Sequence, residues 1–87
     1  MSRIGVLLAT GFEEIEAVTI IDVLRRAELE VIILGVDGRT ISGAHGLQVA
    51  ADQSLAEGLE EDWDVIALPG GLPGATNLRD NPRVIEL

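Results

Sequence analysis

The sequence has no cysteine, no lysine and no tyrosine, a single histidine, and only two aromatic residues, Phe12 and Trp63. Without cysteine, neither a disulfide nor a thiolate metal site can form within the chain. So few aromatic rings leave no stacking platform for single-stranded nucleic acid. Basic residues are scarce as well: six against fifteen acidic ones, for a net charge of −9. That balance repels phosphate backbones and anionic lipid, so neither nucleic acid nor a membrane surface is expected as a partner. Long apolar runs are missing too. Residues 4–9 are too few for a signal-peptide core or a membrane span and lack the flanking basic and cleavage signals, so a cytoplasmic location is expected.

What remains is a core without rings. Hydrophobic residues make up 47% of the 87, mostly Ile, Leu, Val and Ala, a palette that suits helices packed on a parallel sheet. One domain at most fits this length, and a chain so short buries only about 60–65% of its unfolded surface. Residues 3–10 form a continuous apolar run, the mark of a strand covered on both faces, and Gly11 breaks it. From residue 13 to 27 the period becomes helical, with Ala17, Ile20, Ile21, Leu24 and Ala27 on one face. Residues 28–35 read as a second strand, which makes a right-handed βαβ unit with parallel strands. Residues 39–42 and 47–51 read as a hairpin-like excursion around a loop at 43–46. Residues 54–59 are weakly helical and 63–68 form a third main strand. Asn81-Pro82 resembles a helix start, with Asn81 as N-cap. Because a helix of one or two turns is unstable alone and parallel strands need covered edges, the chain is expected to be the N-terminal part of one α/β domain. Residues outside this chain would complete it; the alternative is a small complete domain that covers its edges by oligomerising.

Two places could carry chemistry. The first is the stretch Leu68-Pro69-Gly70-Gly71-Leu72-Pro73-Gly74, where a strand ends in a sharp turn. Glycines there let other atoms approach the main chain, and Gly70 and Gly71 could present an N–H to a developing oxyanion. Turn geometry alone would explain them equally. The segment is no phosphate loop, since it lacks the Gly-Lys-Ser/Thr ending. The second place is Gly11-Phe12-Glu13-Glu14-Ile15-Glu16, at the end of the first strand. A 100° advance per residue puts Glu13 and Glu16 on the side of Ile20 and Leu24, facing the strand ends, with Glu14 pointing away. Favourable interaction with the helix macrodipole is the plainer account of such acids. His45, in Gly43-Ala44-His45-Gly46, has no other His or Cys with which to form a metal cluster, so a loop or interface role is expected. Ser42 and Ser54 have no nucleophile motif around them.

Taken together, Gly11-Phe12-Glu13-Glu14-Ile15-Glu16-Ala17-Val18, Asp22-Val23-Leu24-Arg25-Arg26-Ala27 and Leu68-Pro69-Gly70-Gly71 with Gly74-Ala75 and Asn77-Leu78 resemble the DJ-1/ThiJ/PfpI superfamily, and its DJ-1-like branch most. The resemblance covers essentially the whole chain. It implies a flavodoxin-like α/β sandwich with a mostly parallel sheet, of which this is the N-terminal portion, in proteins that usually form homodimers. In that family a cysteine on a strand-to-helix elbow is the nucleophile, and a glutamate of the first helix is its acid/base partner. Glu16 occupies that glutamate's position. Gly71, with Gly70 beside it, matches the turn of the oxyanion pocket, and His45 falls in a loop near the dimer interface and site entrance.

The elbow cysteine and its histidine neighbour would come from outside this chain, on a complementary C-terminal piece. The resemblance further implies action on small reactive aldehydes, of the glutathione-independent glyoxalase or deglycase type, without cofactor or metal. Non-catalytic redox, stress-response or chaperone-like roles and cysteine peptidase activity occur among family members and stay open. A flavodoxin-like ligand-binding domain without covalent chemistry is the remaining alternative.

Overall fold

The first strand, β1 (Arg3–Leu8), is apolar and buried from Ile4 onward, with both of its faces covered. The computed structural model describes residues 3–70. Ile4, Val6 and Leu8 point to one side of β1, where Ala17 and Ile21 of α1 (Glu14–Arg26) pack together with Val31, Ile33, Ile41 and Phe12. Leu7 and Ala9 alternate to the other side, against Leu34 and Leu55. This is the period-two alternation of a strand, buried on both faces.

Among the described residues four parallel strands form the sheet, in the order β5 (Gln53–Ser54), β2 (Glu30–Gly35), β1 and β6 (Val65–Ala67). β1 pairs with β2 from Arg3↔Glu30 to Leu8↔Gly35, and with β6 from Ile4↔Val65 to Val6↔Ala67. The βαβ unit expected from the sequence is therefore present, with α1 as its crossover. β3 (Thr40–Ser42) and β4 (Gln48–Ala50) make the separate antiparallel hairpin, also as expected. No helix among the described residues is long and apolar enough to cross a membrane. The helix start expected at Asn81-Pro82 lies outside the described residues.

Three details differ from the sequence reading. Ala27 is not part of the buried face: it is the exposed C-cap of α1, where its N–H and those of Glu28 and Leu29 fold back on the last carbonyls. Gln53, left unassigned between the hairpin and the weak helix, and Ser54, read as the start of that helix, form β5. Asp52 extends that edge, its N–H donating to Ile33 O at 2.9 Å and its carboxylate accepting from Ile33 N–H at 2.8 Å. A two-residue strand has no periodicity to read. The weak helix itself shrinks to α2 (Leu55–Gly58), started by a capping box of Ser54 with Glu57. β6 is half-exposed, with Val65 51% accessible and Leu68 just after it 55%, because no described residue packs beyond it.

The second face of the sheet depends on Leu34. It is fully buried, and α2 sits so close that a Cβ on Gly58 would lie 2.9 Å from its Cδ2. Truncation there leaves a cavity that backbone this tightly placed cannot refill. Leu34→Ala is expected to cost about 2–5 kcal/mol in urea unfolding of the full-length protein. A loss well under about 1 kcal/mol, the range of surface substitutions, would show that this face is not packed as described.

Candidate functional site

The site is assembled where the carboxyl ends of β1 and β6 meet the amino end of α1. Parallel sheets place ligands at such ends, and here three acidic residues crowd into four positions: Glu13, Glu14 and Glu16. Like charges so close repel one another unless each is compensated by donors. Each of them is, and each in a different direction.

Glu13 is the N-cap of α1, with extended backbone angles (φ −81°, ψ 115°). Its carboxylate accepts from the N–H groups of Ile15 at 3.3 Å and Glu16 at 2.8 Å, satisfying two donors that a helix start leaves open. Its own N–H donates to Gly70 O at 3.0 Å. Gly70 N–H in turn donates to Glu16 Oε1 at 2.7 Å. The helix start and the turn after β6 are thus joined by two hydrogen bonds running in opposite directions. A Cβ on Gly70 would sit 3.3 Å from both Glu16 oxygens, so a side chain there would make the carboxylate shift by a few tenths of an ångström. Glu16 Oε2 has no hydrogen-bond partner among the described residues.

Glu14 faces the hairpin loop instead. It is the buried acid of the group, 8% accessible. Its Oε2 accepts from His45 N–H at 2.6 Å and Leu47 N–H at 3.3 Å, and its Oε1 lies 3.1 Å from His45 Nδ1. Gly43 has no room for a side chain, since a Cβ there would fall 2.5 Å from Glu14 Cδ. Main-chain bonds fasten the loop as well: Gly11 N–H to Ser42 O at 2.9 Å and Ala44 N–H to Phe12 O at 2.9 Å. Burial by itself would raise the Glu14 pKa. The hydrogen bonds from the His45 side chain, from the His45 N–H and from the Leu47 N–H outweigh it and hold the group down at about 2.

These positions correct two expectations. Glu14 does not point away into solvent; the 43–47 loop covers it, a contact that helical periodicity cannot register. Glu16 is exposed among the described residues. His45 joins Glu14 across the loop, and its premise as a residue without metal-ligating neighbours fails. Single ligand atoms of Glu13, Glu14 and His45 lie within 4.8 Å of one another, because carboxylates can supply what other His or Cys residues do not. All four of those carboxylate oxygens already accept or face protein donors, which accounts for the cluster as a structural clasp. Glu13, Glu14, Ile15, His45 and Leu47 also line an open surface cavity of about 320 Å³. Of the two candidate glycines, Gly70 holds Glu16, so its N–H is engaged by that carboxylate rather than presented to an oxyanion. Gly71 lies outside the described residues.

The same arrangement of elements occurs in known proteins. The model of the DJ-1/PfpI family matches residues 2–87. This chain belongs to the DJ-1/PfpI family. Among DJ-1/PfpI sequences, the Parkinson disease protein 7 homolog of Danio rerio is 39% identical over 87 residues, 98% of this chain and 46% of that protein. Protein dj-1beta of Drosophila melanogaster is 37% identical over 83 residues, 94% and 44% respectively. Among solved structures, a DJ-1 superfamily protein of Salmonella typhimurium, determined as a cysteine-to-alanine mutant, superposes with a TM-score of 0.94 at 40% identity. That match covers 99% of this chain and 47% of the other. Oxidized DJ-1 of Toxoplasma gondii gives 0.93 at 41% identity, covering 97% and 46%. The fold is therefore the flavodoxin-like one of DJ-1 proteins, and the chain spans less than half the length of these relatives.

The depressed Glu14 pKa has a consequence for stability. A carboxyl held at about 2 when folded, against 4.5 ordinarily, contributes stability that is complete above the ordinary value and disappears as pH falls through the folded one. Full-length wild-type protein is expected to be more stable than Glu14→Gln at pH 7. The difference should shrink between about pH 4.5 and 2, as read from urea midpoints. A gap that stays constant over that window would contradict the assignment.

Proposed function

We propose that this chain supplies the acid/base glutamate of a DJ-1/PfpI-type cysteine site acting on small reactive aldehydes, as a glutathione-independent glyoxalase or deglycase. The supporting observation is the 2.7 Å bond from Gly70 N–H to Glu16 Oε1. It fixes one carboxylate oxygen at the strand ends and leaves Oε2 for a partner outside the described residues. The nucleophile in this reading is a cysteine on a complementary C-terminal piece. Gly71 supports the developing oxyanion, as the family resemblance implies.

With methylglyoxal, the thiolate adds to the aldehyde carbon and the carbonyl oxygen takes up a proton, giving a hemithioacetal. Glu16 removes the proton from that carbon and returns it to the neighbouring one. The two carbons exchange oxidation levels, a thioester results, and water releases lactate and the thiol. No outside oxidant or reductant is needed. Exposed Ile15, Val18 and Leu47, on α1 and beside the cavity, suit the family's homodimeric assembly, since grouped apolar side chains at a surface mark contact sites. A cytoplasmic location completes the reading.

The test is Glu16→Gln in the full-length protein, assayed for conversion of methylglyoxal to lactate. Gln keeps the Gly70 hydrogen bond yet cannot take a proton, so turnover is expected to fall by about 10²–10⁴-fold with circular dichroism unchanged. Unchanged turnover contradicts the role. A wild-type protein whose thiol oxidises readily but converts no aldehyde would favour the redox-sensing alternative.

A further inference from the structure

Glu14 has no task in the proposed reaction, yet it is the acid that the fold buries and surrounds with donors. We propose that Glu14 is a positioning residue: by clasping the hairpin loop at residues 43–47 it fixes the first turn of α1, and so places the Glu16 carboxylate on the Gly70 N–H. The proposal rests on the reading of Glu16 as the functional carboxylate.

Besides the Glu13 cap and the main-chain bonds of Phe12 and Glu13, few contacts hold that turn. The first turn of a helix lacks the intrahelical bonds that steady its middle. Ile15 is 78% and Val18 44% accessible, so neither anchors it by packing among the described residues. Phe12, Ala17 and Ile21, buried in the core beside β1, seat the helix as a whole. The polar contacts at its amino end set the freedom that remains to the first turn. Glu14 and Glu16 are two residues apart, about 200° around the helix, so they grip opposite sides. Glu14 holds the hairpin loop, and Glu16 holds the turn after β6. If the Glu14 grip fails, the turn can rotate and Glu16 moves off a donor that tolerates little displacement.

The fit on the Glu14 side is built rather than incidental. Two backbone N–H groups converge on one carboxylate oxygen. The loop glycine opposite has no space for a methyl group, with a Cβ 2.5 Å from Glu14 Cδ. Low pKa follows from the same bonds and keeps the clasp charged across physiological pH, so Glu14 has no proton to exchange and its role is geometric.

The test reads the Gly70 amide by NMR in the full-length protein. In wild type that proton is expected downfield and slow to exchange, as befits a short hydrogen bond to a carboxylate. In Glu14→Ala it should move upfield and exchange at least about tenfold faster, together with the His45 and Leu47 amides. Glu14→Gln, which keeps one acceptor, should show an intermediate response. Leu34→Ala, on the opposite face of the sheet, lowers stability without touching either grip, and should leave the Gly70 shift in place. A purely structural role for Glu14 would make the two variants alike. Should Glu14→Ala fail to fold, Gly43→Ala pushes the loop off an intact Glu14 and should displace the Gly70 amide in the same direction. An unmoved Gly70 amide in a folded Glu14→Ala or Gly43→Ala protein overturns the proposal. Because this readout needs no turnover, an aldehyde assay insensitive to Glu16→Gln would defeat the functional reading alone.

Discussion

Two hydrogen bonds between Gly70 and the start of α1 tie together segments 54 residues apart, and the geometry of the candidate site follows from them. One runs from Glu13 N–H to the Gly70 carbonyl and the other from Gly70 N–H back to Glu16. A reciprocal pair fixes orientation as well as distance, which a single bond would not. It also satisfies polar main-chain groups at a strand end and a helix start at once, where unpaired ones would be costly. A side chain at position 70 would come within 3.3 Å of the carboxylate oxygens, so glycine eases that close approach.

Three negative charges within four residues would be unfavourable on a bare helix start. The macrodipole helps, but only by about 0.3–1 kcal/mol per group. The fold resolves the crowding by separating the acids in direction. Glu13 turns back on the helix's own N–H groups, Glu14 is held by the hairpin loop, and Glu16 by the turn after β6. The result is a division of labour that depends on which donors surround each carboxylate. Glu14 is locked in its charged form by several donors, whereas Glu16 keeps an oxygen available. The proposed proton transfer draws on the second condition and not the first.

Much of the fold was legible because its signals are local. The unbroken apolar run of β1, the 3.6-residue period of α1 and the glycine-rich 43–46 segment between short strands each correspond to an observed element. The position of Glu16 beside Gly70 was reachable through the combination of the Glu-Glu-x-Glu segment with the Pro-Gly-Gly turn. Neither half of that pair suffices alone. Glu14 was misplaced for a physical reason: periodicity reports which face meets the sheet, while the loop that covers Glu14 approaches from 31 residues away. Gly43 and Gly46 carried the only trace of that approach. β5 escaped for a different reason, as its two residues pair through Asp52 and the main chain without any apolar pattern.

Half-exposed β6 and the accessible Glu16 describe a site open on one side among the described residues, in a chain that spans less than half the length of its relatives. The proposed account closes that side with a cysteine from the remaining part of the domain. A crystal structure of the full-length protein in its reduced state tests this most directly, through the distance between Glu16 and the nearest cysteine Sγ. The account predicts a thiol within about 3.5 Å of Glu16 Oε2, with Oε1 still on the Gly70 N–H. A structure with no thiol within about 6 Å of that carboxylate, beyond the reach at which such groups influence each other, would contradict it.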